Sequence, residues 1–514
     1  VKNIKSRKII AAILACVLMV SAASGCSSNV IEGEATIDGN AAAADTVSYE
    51  EIFEKDKVID IKVEIAKEDW ESILDDPLAE EYKSANVTVD GITVENAGFR
   101  TKGNLTLSSV ANSSSERYSF RIKLDKYVEG QSLLGLDEFV VNNMYSDASY
   151  MREYLSYEAL EEIGADVPET VFANIYINDE LYGFYICIEA IDDSFLERNF
   201  GSNDGNLYKQ EQGSTLQYVE NSNYDKSELK SGDEESRTDL KNFIKILNEM
   251  PEGEKGNIES VLDVDSALRY IASNTVLGNY DSYSGNMAQN YYLYGQNGKF
   301  TVIPWDLNMS FNGYGGGGDA ATIPIDEPVM GINLENLPLI DNLLAVDEYK
   351  EKYHEYIKEL LGYLEGFESR VTELANIIRP YVEADPSKFV TMEQFEASIK
   401  YSETNTTTDT EAEAGDAATA FDRDNIPAAP EEGFGKGERP EPPEGGFESG
   451  NMPASPQGGI GGMRMMGNSA SIINFVRDRV ENITKQLNGE LPTTGNTTMN
   501  NTRNNPRGRN RPEI

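Results

Sequence analysis

From Tyr401 to about Gly467 the chain is dominated by Thr, Ala, Glu, Pro, Gly and Met, a composition that buries too little apolar area to offset the entropy of ordering it. The fold must therefore be completed by residues ahead of that stretch together with whatever returns after it. One segment does return. Ser469 to Leu487 sets Ile472, Ile473, Phe475, Val476, Val480 and Ile483 at helical spacing, the mark of a helix that packs one face. Small, polar and acidic residues up to about position 56 read as a flexible tether, and the Asn, Thr, Arg and Pro tail after Gly489 reads as unstructured.

Between these limits Val58 to Ile65 alternates as a strand, Lys67 to Leu74 reads as a short helix, and Ala85 to Val94 reads as two strands around Asp90-Gly91. The Gly, Asn and Ser-rich run from Gly98 to Ser115 reads as a loop, and Tyr118 to Asp125 alternates again. A helix is expected over Asp147 to Ile163, stopped by Gly164, then strands at Val171 to Ile177 and Leu181 to Glu189 across the turn Asn178-Asp179-Glu180. Further helices are expected at Asp239 to Met250, Val264 to Leu277, Asp347 to Leu364 and Phe367 to Val382. The expected class is α+β, with a mostly antiparallel N-terminal sheet and a helix-rich second half.

At the start, Lys2, Lys5, Arg7 and Lys8 precede an apolar run from Ile9 to Val20 and a small-residue stretch up to Gly25. That is the pattern of a signal peptide, and the run is shorter than the roughly 20 residues a membrane-spanning helix needs. Ala23-Ser24-Gly25-Cys26 is similar to a bacterial lipobox, with Ala where Leu is usual, which implies lipidation of Cys26 and anchoring of an exported protein at the outer face of the cell membrane. The expected organisation is a signal peptide at 1–25, a tether at 26–56, one domain at 57–400, an insertion at 401–467, a returning helix of the same domain at 468–488 and a tail at 489–514.

Several chemistries are excluded by composition. After Cys26 the one cysteine is Cys187, in an apolar strand, so no disulfide framework forms within the mature chain. His354 is the one histidine, and its setting reads as a helix surface without an evident carboxylate partner. Hydrolases built on Ser-His-Asp or Cys-His, and His-rich zinc sites, are thereby excluded. What remains is carboxylate, amide, Lys and Arg chemistry, the groups of a Mg²⁺-phosphate site. A formal net charge of −44 argues against nucleic acid as a partner.

The most informative stretch runs from Asn279 to Asp306: a helix end, a polar loop with Asp281, Asn286 and Asn290, a strand, an Asn297-Gly298 turn, a second strand, and Asp306. An antiparallel hairpin returns the chain to its origin, so Asp281 and Asp306 would meet with one or two amides beside them. In the first half, Phe120, Ile122 and Leu124 would share one strand face and Arg121 and Lys123 the other. One of those cations would hold nucleotide phosphates with Glu153 orienting it, as a strand Lys and a helix Glu do in kinases. Arg152 and Lys209 are further candidates for phosphate or carboxylate contacts, and the Gly-rich run Gly313 to Asp319 is a candidate lid.

The motifs Gly98-Phe-Arg-Thr-Lys-Gly103, Tyr145-Ser-Asp147 to Glu153, Tyr176 to Gly183, Glu189-Ala-Ile-Asp192, Gly205 to Lys209, Asn290 to Tyr294 and Ile303-Pro-Trp-Asp306-Leu-Asn308 occur in order. Together they resemble the spore coat protein H (CotH) kinase family. The resemblance implies an atypical two-lobed protein-kinase-like fold and transfer of phosphate from ATP, with Mg²⁺, to Ser or Thr of a protein substrate. It implies Asp281 as catalytic base and Asp306 as metal ligand, with Asn290 or Asn286 completing the site. This chain departs from the family at Asn308, where an acidic residue is usual. Two rival readings use the same residues: an exported binding or scaffold module, favoured by the scarcity of ATP outside the membrane, and a nucleotide-binding pseudokinase, for which Asn308 is the hint.

Overall fold

Alternation in Val58-Ile-Asp-Ile-Lys-Val-Glu-Ile65 puts Ile59, Ile61, Val63 and Ile65 on one side, and β1 (Val58–Ile65) buries that side. The chain continues through α1 (Lys67–Asp75), β2 (Lys83–Val89), β3 (Ile92–Lys102), α2 (Leu105–Ala111), β4 (Ser119–Lys123) and β5 (Glu138–Asn142). After α3 (Arg152–Glu162), β6 (Thr170–Ile177) and β7 (Glu180–Glu189) form a hairpin whose turn residues Asn178 and Asp179 both have positive φ, 49° and 66°. The seven strands close into a barrel in the order β1-β2-β3-β4-β5-β7-β6. Closure comes from a parallel pairing of β1 with β6, Val58 opposite Phe172 through Val63 opposite Ile177, while the other neighbours are antiparallel. A shift in register between β2 and β3 helps bend the wall. There Asn96, at φ 55°, donates its amide to Asn86 Oδ1 at 3.2 Å.

Phe99, Phe120, Ile122, Val141, Ala173, Tyr185 and Cys187 fill the barrel interior. The thiol of Cys187 is buried and its pKa raised by that burial, a core residue as its strand suggests. Alternate residues of the same strands, Val140, Phe172, Phe184, Ile186 and Ile188, face outward into a second and larger core. That core is built by α4 (Asp193–Phe200), β8 (Asn206–Gln210), β9 (Ser227–Ser231), α5 (Thr238–Asn248), α6 (Val264–Leu277), β10 (Tyr291–Gln296), β11 (Lys299–Pro304), α7 (Pro338–Leu344), α8 (Asp347–Leu364), α9 (Phe367–Ala384), α10 (Met392–Ser398) and α11 (Ile472–Leu487). Its four-stranded sheet has the order β11-β10-β8-β9 and is antiparallel throughout.

This computed structural model describes residues 48–233, 236–314, 319–403 and 471–495. The expected signal peptide, the expected lipidation site Cys26, almost all of the 401–467 insertion and the centre of the Gly313 to Asp319 run lie outside the described residues. Among the described residues, no helix is long and apolar enough to cross a membrane. The class is α+β, and the mostly antiparallel first sheet is closed into a barrel. The run from Gly98 to Ser115 is not a loop: β3 extends to Lys102 and α2 follows. His354 also differs from expectation, since its Nε2 lies 2.6 Å from Asp326 Oδ1.

Two buried arginines tie distant parts of the chain together. Arg117, beside β4, meets Asp385 Oδ2 at 2.7 Å and the Asn143 carbonyl at 3.1 Å, and its guanidinium is flanked by the rings of Tyr185 and Phe389. Arg479 of α11 donates to the carbonyls of Thr275 at 2.9 Å, Ala321 at 3.1 Å and Ile323 at 2.7 Å. Beside it, α6 ends at Gly278 with φ +60°, where a Cβ would lie 2.5 Å from the Phe475 ring. Asn474 accepts from Ser402 N at 3.0 Å and donates to Ser402 O at 2.8 Å, so the chain entering α11 is bonded to the chain leaving α10. Arg117→Met strands the buried Asp385 charge, and urea denaturation should show a loss of about 3–5 kcal/mol, the usual cost of breaking a buried ion pair.

Candidate active site

The Asn297-Gly298 turn between β10 and β11 has φ of 52° and 81°, as a two-residue hairpin turn requires. With Tyr291 opposite Pro304 in register, residues just before β10 and just after β11 are returned to one end of the sheet. Asp281, on the loop after α6, is held there by two amides. Gln289 Nε2 donates to its Oδ1 at 2.7 Å and Asn290 Nδ2 donates to its carbonyl at 2.7 Å. Asn290 and Asp306 adopt left-handed φ of 62° and 57°, conformations that cost a non-glycine residue energy and persist where surrounding contacts over-determine them.

Asp281 and Asp306 share one electrostatic environment. Burial first and the negative charge of Asp306 second push the Asp281 carboxyl up to about 6, against the hydrogen bonds of Gln289 and Asn290. Glu153 on α3 behaves alike: burial first and Asp306 second push it to about 8. Two like charges in a poorly solvated cleft disfavour joint ionisation. The site therefore favours a cation.

One cation is supplied by β3. Lys102 Nζ donates to Asn142 Oδ1 at 2.8 Å, and Asn142 Nδ2 donates to Glu153 Oε2 at 3.0 Å, so an amide from β5 bridges the strand lysine and the helix glutamate. Burial lowers the Lys102 pKa, while Asp306 and Glu153 oppose that shift. Neither Lys102 nor Asn142 was singled out from the sequence. The alternation of Arg100 and Lys102 against inward Phe99 and Thr101 was the available signal.

The cations expected beside Glu153 pair with other carboxylates, although Arg121 is near enough to Lys102 to depress its pKa. Arg121 pairs with Glu138, and Lys123 lies 3.1 Å from Asp125 and 3.5 Å from Glu138, so Glu153 orients neither of them. Phe120 and Ile122 do point into the barrel with Arg121 and Lys123 on the opposite face. Lys209, paired with Glu211 at 2.6 Å, is near enough to Lys102 to depress its pKa. Arg152 engages backbone through its guanidinium. It is buried and donates to the carbonyls of Ser310 at 2.7 Å and Phe311 at 2.6 Å. Of the two candidate amides, Asn290 sits on Asp281, whereas Asn286 is exposed and accepts from the Tyr314 hydroxyl at 2.7 Å.

The donor set suits a hard divalent cation. Asp306 Oδ1 and Asn308 Oδ1 are buried without a hydrogen-bond partner among the described residues, and orphaned buried acceptors of this kind call for an ion or water. Among the described residues no three His, Cys, Asp or Glu side chains form a ready-made cage. That agrees with Mg²⁺, which takes one or two carboxylates and leaves other positions to water and substrate phosphate.

A sequence model of the CotH kinase protein family matches residues 99–411, well over half of the chain. The chain belongs to that family. It is also 26% identical over 281 residues to the inner spore coat protein H of Bacillus subtilis (strain 168), an alignment covering 52% of this chain and 75% of that protein. The CotH match begins in β3 just ahead of Lys102 and takes in Glu153, Asp281 and Asp306, whereas α11 lies beyond it. Membership suggests a kinase-like function.

In the metal-free protein, Asp306→Asn removes the charge that raises its two neighbours. Carboxyl-detected NMR should show the Asp281 value falling below about 6 and the Glu153 value falling below about 8. Unchanged values would mean that Asp306 does not act on either group.

Proposed function

We propose that this CotH family member is an exported, lipid-anchored kinase with an atypical two-lobed protein-kinase-like fold, transferring the γ-phosphoryl group of ATP to Ser or Thr hydroxyls of a protein substrate. What supports the proposal is the electrostatic interaction of Asp306 with Asp281, Glu153 and Lys102, groups carried by four separate pieces of the chain. Phosphoryl transfer asks mainly for positioning and charge neutralisation, because little covalent chemistry falls to the protein.

In this reading Asp281 accepts the proton of the acceptor hydroxyl and is aimed by Gln289 and Asn290. Lys102 contacts the nucleotide phosphates, steadied by Asn142 and Glu153. Asp306 and Asn308, with Asn290 as a further candidate, would hold Mg²⁺. Bound there, the ion would neutralise phosphate charge and orient the γ-phosphate for transfer. Anchoring through Cys26 rests on the N-terminal sequence, and a surface location fits a relative named as a spore coat protein.

Protein lacking the leader, incubated with Mg²⁺, radiolabelled ATP and a Ser/Thr-rich acceptor, should transfer label. Asp281→Asn should lower kcat by about 10²–10⁴-fold, the usual contribution of a general base, and Lys102→Met should raise KM for ATP while lowering kcat. Nucleotide binding without transfer in the wild type would instead identify a pseudokinase.

The rate should also fall as pH drops and Asp281 takes up a proton. Because a cation on Asp306 cancels part of the repulsion that raises Asp281, the acid limb of kcat should lie at or below about pH 6. An acid limb well above pH 6 would rule out Asp281 as the titrating base.

A further inference from the structure

The first turn of α3 carries two consecutive buried charges that reach in different directions. Glu153 is tied through Asn142 to Lys102. Arg152 reaches the segment that follows Asp306: its Nη1 donates to Ser310 O and Phe311 O. Asp147 orients it from behind, accepting the Arg152 amide at 2.9 Å on Oδ2 and placing Oδ1 3.5 Å from Nε. One turn further along α3, the Tyr157 hydroxyl accepts the Asp306 amide at 3.2 Å. Residues 306 to 311 are thus gripped at both ends by one helix.

That segment needs holding. Asp306, Phe311 and Asn312 have φ of 57°, 56° and 60°, so three non-glycine residues of one short loop are left-handed, a conformation that relaxes unless contacts enforce it. The Phe311 amide is fixed by the Leu277 carbonyl at 2.6 Å, which leaves the carbonyl side of the loop to Arg152. A planar guanidinium addresses two adjacent carbonyls from one geometry, whereas an ammonium offers a point charge.

We propose that Arg152 is a positioning residue for the Asp306 carboxylate: by clamping Ser310 and Phe311 to the helical turn that bears Glu153, it fixes the metal carboxylate relative to Lys102. The inference rests on the phosphotransfer reading of the site. It assigns α3 the task of setting the distance between the phosphate lysine and the metal aspartate.

The test measures Mn²⁺ uptake, by electron paramagnetic resonance, by the full chain loaded with a non-hydrolysable ATP analogue. Arg152→Lys should weaken Mn²⁺ affinity about tenfold, in the range expected when a partner one step removed from a metal ligand is lost, while analogue affinity in EDTA stays unchanged. Unchanged Mn²⁺ affinity with a lowered Tm would overturn the inference in favour of a purely structural bond, and a fall of analogue affinity in EDTA would overturn it in favour of a direct phosphate contact. Should Arg152→Lys fail to fold, Asp147→Asn keeps the guanidinium but loosens it. It should show a smaller shift in the same direction, and no shift would overturn the inference. Wild-type protein that takes up no more Mn²⁺ than Asp306→Ala would sink the phosphotransfer reading itself, and this inference with it.

Discussion

Repulsion between neighbouring, poorly solvated carboxylates organises the arrangement around Asp306. Its charge raises both Asp281 and Glu153, and it favours the ammonium of Lys102 that burial opposes. Backbone conformations that would otherwise relax, at Asn290 and Asp306, hold the carboxylates and amides in place. Orphaned acceptors on Asp306 and Asn308 mark where further positive charge fits. An acidic residue at 308 would add to the repulsion there. An amide keeps an oxygen donor without the charge.

Each charged group of the site is delivered by a different piece of the fold. The barrel supplies Lys102 from β3 and Asn142 from β5, α3 supplies Glu153 and Tyr157, and the β10-β11 hairpin brings Asp306 back to Asp281. Rigid elements place side chains more accurately than loops do, and the loops that are used here are bonded at both ends. Helix α11 belongs to this scaffold although it lies outside the family match. Through Arg479 it grips the Thr275 carbonyl on α6, six residues ahead of Asp281, together with Ala321 in the 3₁₀ turn Ala320–Thr322 and Ile323 just after it.

Much of this was legible in the residues because local physics dictated it. The Asn-Gly turn with alternating flanks foretold the hairpin, and the hairpin foretold the meeting of Asp281 and Asp306. Helices with a full apolar face, such as Val264–Leu277 and Asp347–Leu364, were placed by periodicity alone. What escaped depended on long-range pairing. Barrel closure rests on β1 finding β6 across more than a hundred residues. Lys102 was hidden because Gly, Asn and Ser in the 98–115 run disguised the end of a strand, so the cation role went to Arg121 and Lys123 one strand away. Arg152 and Glu153 are adjacent charges in sequence, and only their hydrogen bonds show that one grips backbone while the other is tied through Asn142 to Lys102.

The central claim is that Asp306 and Lys102 converge on one nucleotide-bound cation. It is tested most directly by a crystal structure with Mn²⁺ and a non-hydrolysable ATP analogue, with the ion located by its anomalous scattering. The account predicts Mn²⁺ bonded to a carboxylate oxygen of Asp306, Lys102 against the phosphates, and Asp281 facing the γ-phosphate. Mn²⁺ and nucleotide bound away from Asp306, or a nucleotide that leaves Lys102 and Asp281 untouched, would contradict it.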